Sequence, residues 1–272
     1  MRACWGRRLA GKWRMAADAR VRLRDTRASG FLLVALLLGF WQYSSFYLVS
    51  SPNWPPVTQI AAALVAGFAS GELVEVFGSS LYRMLWGYAL GVTAALVAGL
   101  LMASVRIVHA ALEPMVELLR PIPVPAIIPP LILLLGVDDA MKIFIVAFSA
   151  FFPVLVNTVA GVRAVDHVAI DVARTLRVGR LRTALRVVLP ASMPYILAGM
   201  RVSLALALIV TVVAEMIAGS SGIGYYIMTM QYAMRSSDMY AAIFVLAALG
   251  YGLNRGFLAI EHRVLHWYHL PG

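Results

Sequence analysis

Residues 171–190 read DVARTLRVGRLRTALRVVLP. Five arginines fall within these twenty residues, between two long apolar runs of a chain that is 61% hydrophobic and only 13% charged. The segment is too polar to lie in hydrocarbon and too regular to be a slack loop. Upstream, Asp166 can cap a helix start with its carboxylate. From there Ala169, Val172, Ala173 and Leu176 fall on one helical face, while Asp171 and Arg174 turn elsewhere. Gly179 is placed to end that helix with a positive φ. A second short helix is expected next, with Leu181, Ala184, Leu185 and Val188 on one face and Arg182 and Arg186 turned away. Pro190 and Pro194 then lead into the following apolar run. Small residues at 169 and 173 would let another surface come close. Two short amphipathic helices below a membrane make a docking element; a helix pair lying flat on lipid would use the same arginines.

Working outward, the rest of the 272-residue chain explains where such an element would sit. Soluble proteins carry roughly 25% charged residues, about twice the fraction here. Apolar stretches reach the ~20 residues that cross a bilayer as a helix and are too long for the ~10-residue alternating strands of an outer-membrane barrel. The reading is an all-α polytopic membrane protein with six transmembrane helices, near 31–50, 78–104, 112–136, 140–162, 191–218 and 239–260. Between the first two, Val57 to Gly71 would form a short outer helix started by Pro55 and Pro56. Nine of the 23 Lys and Arg residues lie in 1–30 and six in 163–190, whereas the loops 51–77, 137–142 and 219–238 hold only Lys142 and Arg235. The positive-inside bias therefore puts both termini and 163–190 in the cytoplasm. The same clustering assigns the net charge of +10 to membrane orientation rather than to nucleic acid.

The ends of the chain need separate reading. Residues 1–30 suit either a basic helix on the anionic inner leaflet or a disordered basic tail. A basic region before an apolar one also marks secretory signals, but aromatics rather than a small-residue cleavage site follow FLLVALLLGF, so a retained helix is preferred. The run Gly6-Arg7-Arg8-Leu9-Ala10-Gly11-Lys12 approaches a phosphate loop, but Trp13 stands where Ser or Thr belongs. Cys4 is the single cysteine, so no intramolecular disulfide can form. No spacing suggests a metal site or a catalytic constellation.

Inside the spans, RPIPVPAIIPP (120–130) holds five prolines. Each internal proline frees a carbonyl, which protein or a wet cavity tolerates and lipid does not. Pro123 and Pro125 thus mark either a substrate path or a kinked packing helix. Arg120 can attract an anion or neutralise a helix end near the inner surface. Ser149 and Asn157 can face a cavity or bond across helices, the commoner use. Glu215, near the outer end of the fifth span, either lines the path or forms a structural pair with Arg201 or Arg83; the pair is preferred. Gly219, Gly222 and Gly224 bracket a turn.

The opening segment resembles the shared cytoplasmic loop of the membrane subunits of bacterial ABC importers. That loop reads Glu-Ala-Ala, three residues, Gly, nine residues, Ile, one residue, Leu-Pro. Here Asp171-Val172-Ala173, Arg177, Val187 and Leu189-Pro190 keep the spacing with four substitutions, and Gly179 is expected to supply the turn in place of Arg177. Residues 120–166 and EMIAGSSGIGYYI (215–227) are similar to the branch that imports nitrate, sulfonates, taurine, bicarbonate and some vitamin precursors. The resemblance covers about 31–265, leaving 1–30 and 266–272 as cytoplasmic tails. It implies a type I importer permease fold in the bacterial inner membrane, working as a homodimer. A coupling loop at about 163–190 would dock on separate ATPase subunits, which bind ATP and Mg; this chain would bind no cofactor and carry no enzyme activity. A periplasmic or lipid-anchored binding protein would deliver the solute. The implied ATPase-coupling residues are Ala169, Asp171, Val172, Ala173, Leu176, Arg177, Gly179, Leu189 and Pro190. The implied cargo is a sulfonate, taurine or nitrate-type anion; alternatives are a vitamin precursor on the same architecture, or a self-sufficient secondary transporter, which would show internal repeats.

Overall fold

A computed structural model describes residues 27–49 and 51–267, and all regular structure among them is helical. The tail readings for 1–30 and 266–272 fall almost wholly outside the described residues. Among the described residues five helices are long and apolar enough to cross a membrane, and six if one bent pair counts as a single span.

The chain divides into two compact units at residue 63. In the first, α1 (Arg27–Tyr47) ends where Ser51–Pro56 folds back on it. Trp54 stacks on Trp41 at 4.7 Å and donates its Nε1–H to Ser44 Oγ at 3.0 Å. Gln42 of α1 receives the Thr58 N–H at 3.2 Å, at the start of α2 (Val57–Ala69). Pro55 and Pro56 lack N–H groups, so they precede that helix without leaving donors unpaired.

The second unit is built on three long helices: α3 (Glu72–Ser104), α6 (Asp139–Arg163) and α9 (Leu189–Ala218). α6 packs along both of the others. Lipid gives helices no hydrophobic reason to associate, so close backbone contact must do it. A Cβ at Gly91 would run into the Ala147 carbonyl, and one at Gly199 would sit 2.8 Å from the Pro153 carbonyl. Bonds between helices reinforce this: Ser203 Oγ donates to the Ala150 carbonyl at 2.6 Å and Tyr88 to the Met200 carbonyl at 3.0 Å. Ser149 and Asn157, expected to bond across helices or face a cavity, instead bond carbonyls of their own helix, Val146 and Pro153.

The proline-rich third span is not one kinked helix. α4 (Arg106–Leu119) and α5 (Val124–Leu135) are separate and bent by 99°. Pro121 and Pro123 withhold the N–H groups that would bridge the break, and Pro123 itself is extended, with ψ 120. α5 has 12 residues, about 18 Å of helix, too short to cross ~30 Å of hydrocarbon alone.

Downstream come α7 (His167–Thr175), α8 (Arg180–Thr183), a π-helical turn (Ala184–Val188), α9, α10 (Ile223–Tyr232) and α11 (Ser236–Val264). The expected second amphipathic helix is not separate from the fifth span: 181–218 runs as one 38-residue helix. Pro190 has no N–H for the carbonyl four residues back, and its ring would press on that carbonyl. The π turn just before it, closed by Leu189 N–H to the Ala184 carbonyl, widens the helix and lets it continue. α10 occupies the stretch expected to be a turn and loop. Its residues Ile223, Tyr226, Ile227 and Met230 are buried at helical spacing, packing with Leu73, Val212 and Val245.

Candidate coupling loop and buried polar clamp

The loop begins as its sequence predicts: Asp166 Oδ1 accepts the Val168 N–H at 2.9 Å, capping α7. It ends differently. The left-handed residue is Arg177, φ 54, and not Gly179. Arg177 N–H bonds the Arg174 carbonyl and Val178 N–H bonds the Ala173 carbonyl, both at 2.9 Å. That pair of bonds closes a Schellman end whose C′ residue must be left-handed. Arg177 stands where the resembled loop has glycine, so the geometry asks for glycine there and this chain supplies arginine.

The predicted docking face splits in two. Ala173 is 5% exposed and turns into the protein, so it is a packing residue and not a contact surface. Val168, Val172 and Leu176 are 66%, 53% and 70% exposed and follow one another at one-turn intervals. Ala169 and Asp171 are exposed beside them. Asp171 pairs with Arg174 at 3.0 Å on the surface, a contact worth about 0–1 kcal/mol. Gly179 is exposed with open space around it, and Leu189 and Pro190 are half-buried at the start of α9.

At the far end of α9 lies a buried charge network. Glu215, 0% exposed, accepts from Arg83 Nη1 at 2.8 Å, from Ser80 Oγ at 2.8 Å and from the Gly224 N–H at 3.0 Å. Arg83 also donates to Asp139 Oδ1 at 2.6 Å, to the Ser221 carbonyl at 3.0 Å and to Ser221 Oγ at 2.6 Å. Ser80 Oγ in turn accepts the Ile223 N–H at 2.8 Å. The network joins α3, α6, α9 and the loop into α10. Of the two arginines proposed from sequence, Arg83 is the partner; Arg201 bonds Asn254 Oδ1 at 3.1 Å. Gly222 has φ 103 and ψ 169, and a Cβ there would overlap the Glu215 carboxylate. The turn glycine is therefore part of the carboxylate's cradle.

The candidate path residues are not brought together. Asp139, at the clamp, and Arg163, which shares a pocket with Arg120, are the two ends of the 25-residue α6, about 36 Å apart. Arg120 is exposed; Pro123 and Pro125 are exposed at the start of α5; Ser149 is buried and Asn157 half-buried in α6. Sequence reading missed Ser80, Asp139 and Ser221. It also counted Lys142 with an outer loop, whereas Lys142 is 1% exposed within α6, its Nζ 4.0 Å from Asp139 Oδ1. Asp139 in the first turn of α6, Ser80 two turns into α3 and Ser221 in the turn before α10 were the available signal.

Residues 87–266 match the family described as the binding-protein-dependent transport system inner membrane component. The putative aliphatic sulfonates transport permease protein SsuC of Bacillus subtilis is 34% identical over 88% of this chain and 87% of its own length. The taurine transport system permease protein TauC of Escherichia coli is 29% identical over 96% and 94%. A solved MetNI methionine ABC transporter chain shares the fold with TM-score 0.60 at 16% identity, covering 68% of this chain and 93% of that one. The chain belongs to the family of binding-protein-dependent transport system inner membrane components.

Proposed function

We propose that this chain is the permease subunit of an ATP-driven importer of a small sulfonate-type anion, taurine and nitrate being neighbouring possibilities. Two copies form the path in the bacterial inner membrane, with both termini and the 163–190 loop in the cytoplasm. Separate ATPase subunits hold ATP and Mg, and a binding protein delivers the solute from outside. What supports the cargo class is the likeness to permeases for sulfonates and taurine. What supports the docking role is one observation: α7 presents an unpartnered apolar stripe, Val168–Val172–Leu176, in a loop rich in arginine.

The mechanical reading follows from continuity. A helix from Leu181 to Ala218 ties the loop to Glu215 with no break in the hydrogen-bonded spiral. The thirty-four residue steps from Leu181 to Glu215 span about 51 Å. A displacement of the loop at Leu181, one turn beyond α7, is therefore carried along this helix to the clamp, where α3, α6 and α9 meet. The π turn beside the loop, less tightly bonded than α-helix, is where bending is cheapest.

Val172→Asp tests the docking role. A carboxylate pressed into an apolar cleft costs several kcal/mol. The variant should insert and keep its clamp, yet lose ATPase co-purification and solute-stimulated ATP hydrolysis. Full association and transport by Val172→Asp would remove the stripe from the interface.

A further inference from the structure

Between α3, α4 and α6 lies a cavity of about 760 Å³ whose lining is wholly apolar, including Ala94, Ala98, Leu112, Met115, Phe148 and Phe151. It borders a second cavity of about 300 Å³; Met102, Val116 and Leu155 line both. The second cavity is different in kind. Glu113, Glu117, Arg120, Arg163 and His109 line it, two carboxylates and two guanidiniums within one small space. Glu113 is held by His109 at 3.3 Å and half exposed, so most of its acceptor capacity is free.

The space is an open groove, with Leu90, Met115 and Phe144 on its walls 54%, 57% and 48% exposed, so its apolar walls call for a cover that water does not supply. Along α3 it runs from Leu90 to Met102, about 18 Å, and along α6 from Ala140 to Leu155, about 22 Å, enough for an acyl chain that fills the ~15 Å apolar depth of one leaflet and reaches beyond it. Its charged neighbour sits at the Arg163 end of α6, where a headgroup would lie. Two cations and two anions side by side complement a group that itself carries one of each. We infer that this is a site for a phospholipid with a phosphate and a primary ammonium in its headgroup. The acyl chain fills the apolar cavity, Arg120 and Arg163 take the phosphate, and Glu113 and Glu117 take the N–H donors of the ammonium. Only the choice of leaflet, the inner one, rests on the orientation proposed above.

The test is native mass spectrometry of the purified permease–ATPase assembly, titrated with phosphatidylethanolamine, phosphatidylglycerol and phosphatidylcholine of identical chains. The expected result is retained phosphatidylethanolamine in preference to both others by about tenfold, the scale of one charge-assisted hydrogen bond. Glu113→Gln with Glu117→Gln should erase the preference over phosphatidylcholine, whose quaternary nitrogen has no N–H. Arg120→Gln with Arg163→Gln should weaken all three lipids. Ala98→Trp, which fills the apolar cavity and leaves the charges in place, should also release the lipid. Because lipid is counted directly, retention or loss is read whether or not the assembly transports. Equal binding of the three lipids, or variants without effect, would overturn the site. So would efficient cross-linking of Met115→Cys to a second permease copy, which would make the groove a subunit contact.

Discussion

Arg83 and Glu215, 132 positions apart in the chain, meet at 2.8 Å with the carboxylate wholly buried. Neither charge would be tolerated alone at that depth, since a buried ion left without its partner costs 3–5 kcal/mol on the usual scale. Glu215→Gln keeps the shape and loses the charge. It should lower the permease's melting temperature in detergent, a loss of about 1–3 kcal/mol because Asp139 still pairs with Arg83, while leaving the preference among solutes unchanged. Thermal unfolding alongside competition transport assays checks both halves. A stable variant with altered preference would move Glu215 into the path.

Ser80 offers a milder version of the same experiment. Ser80→Ala removes a donor to Glu215 and strands the Ile223 N–H at the start of α10. The expected cost is about 1–3 kcal/mol. Hydrogen exchange should show faster opening of α10 than of α6, because that bond holds the first N–H of α10 and none of α6. Uniform exchange across both helices would mean that Ser80 does not anchor α10.

Gly222→Ala should be worse than an ordinary glycine substitution. Its φ of 103 and ψ of 169 lie in a region essentially confined to glycine, and the added methyl would strike the carboxylate. Loss of folded yield is the expected outcome, measured by monodisperse protein recovered per membrane. Wild-type yield from Gly222→Ala would show that the cradle is not tight.

Arg177→Gly should have the opposite sign. The left-handed backbone at Arg177 costs a side-chain-bearing residue about 1–2 kcal/mol that glycine avoids. The substitution should protect the Val178 N–H from exchange and leave transport intact. Reduced protection would show that Arg177 holds the turn by a contact of its side chain.

The helices and the loop were legible because their causes are local. Apolar runs of spanning length, the Asp166 cap and the arginine spacing can all be read within a few residues of where they act. The misreadings share a different cause. Which residue ends α7 depends on which carbonyls the turn must close, and that chose Arg177 over the more permissive Gly179. Ala173 and Val172 are adjacent and both suit a docking face; only packing inside the chain separates them. The third span was read as one helix because proline signals a kink but not its angle. Glu215 was legible as a costly buried acid, and its arginine was named as one of two. Ser80, Asp139 and Ser221 were not, because short polar residues are ordinary until the fold brings Asp139 and Ser221 to the Arg83 guanidinium and Ser80 to the Glu215 carboxylate.

The central claim is that the exposed stripe of α7 meets the ATPase on the cytoplasmic side. It is tested most directly with single cysteines at Val172 and Ala173 in a Cys4→Ser background. In intact cells, Val172→Cys should be shielded from a membrane-impermeant maleimide and should cross-link to the ATPase through a short bifunctional reagent. Ala173→Cys, buried beneath it, should do neither until the protein is unfolded. Labelling of Val172→Cys from outside, or ATPase cross-linking from position 173 in place of 172, would contradict the account.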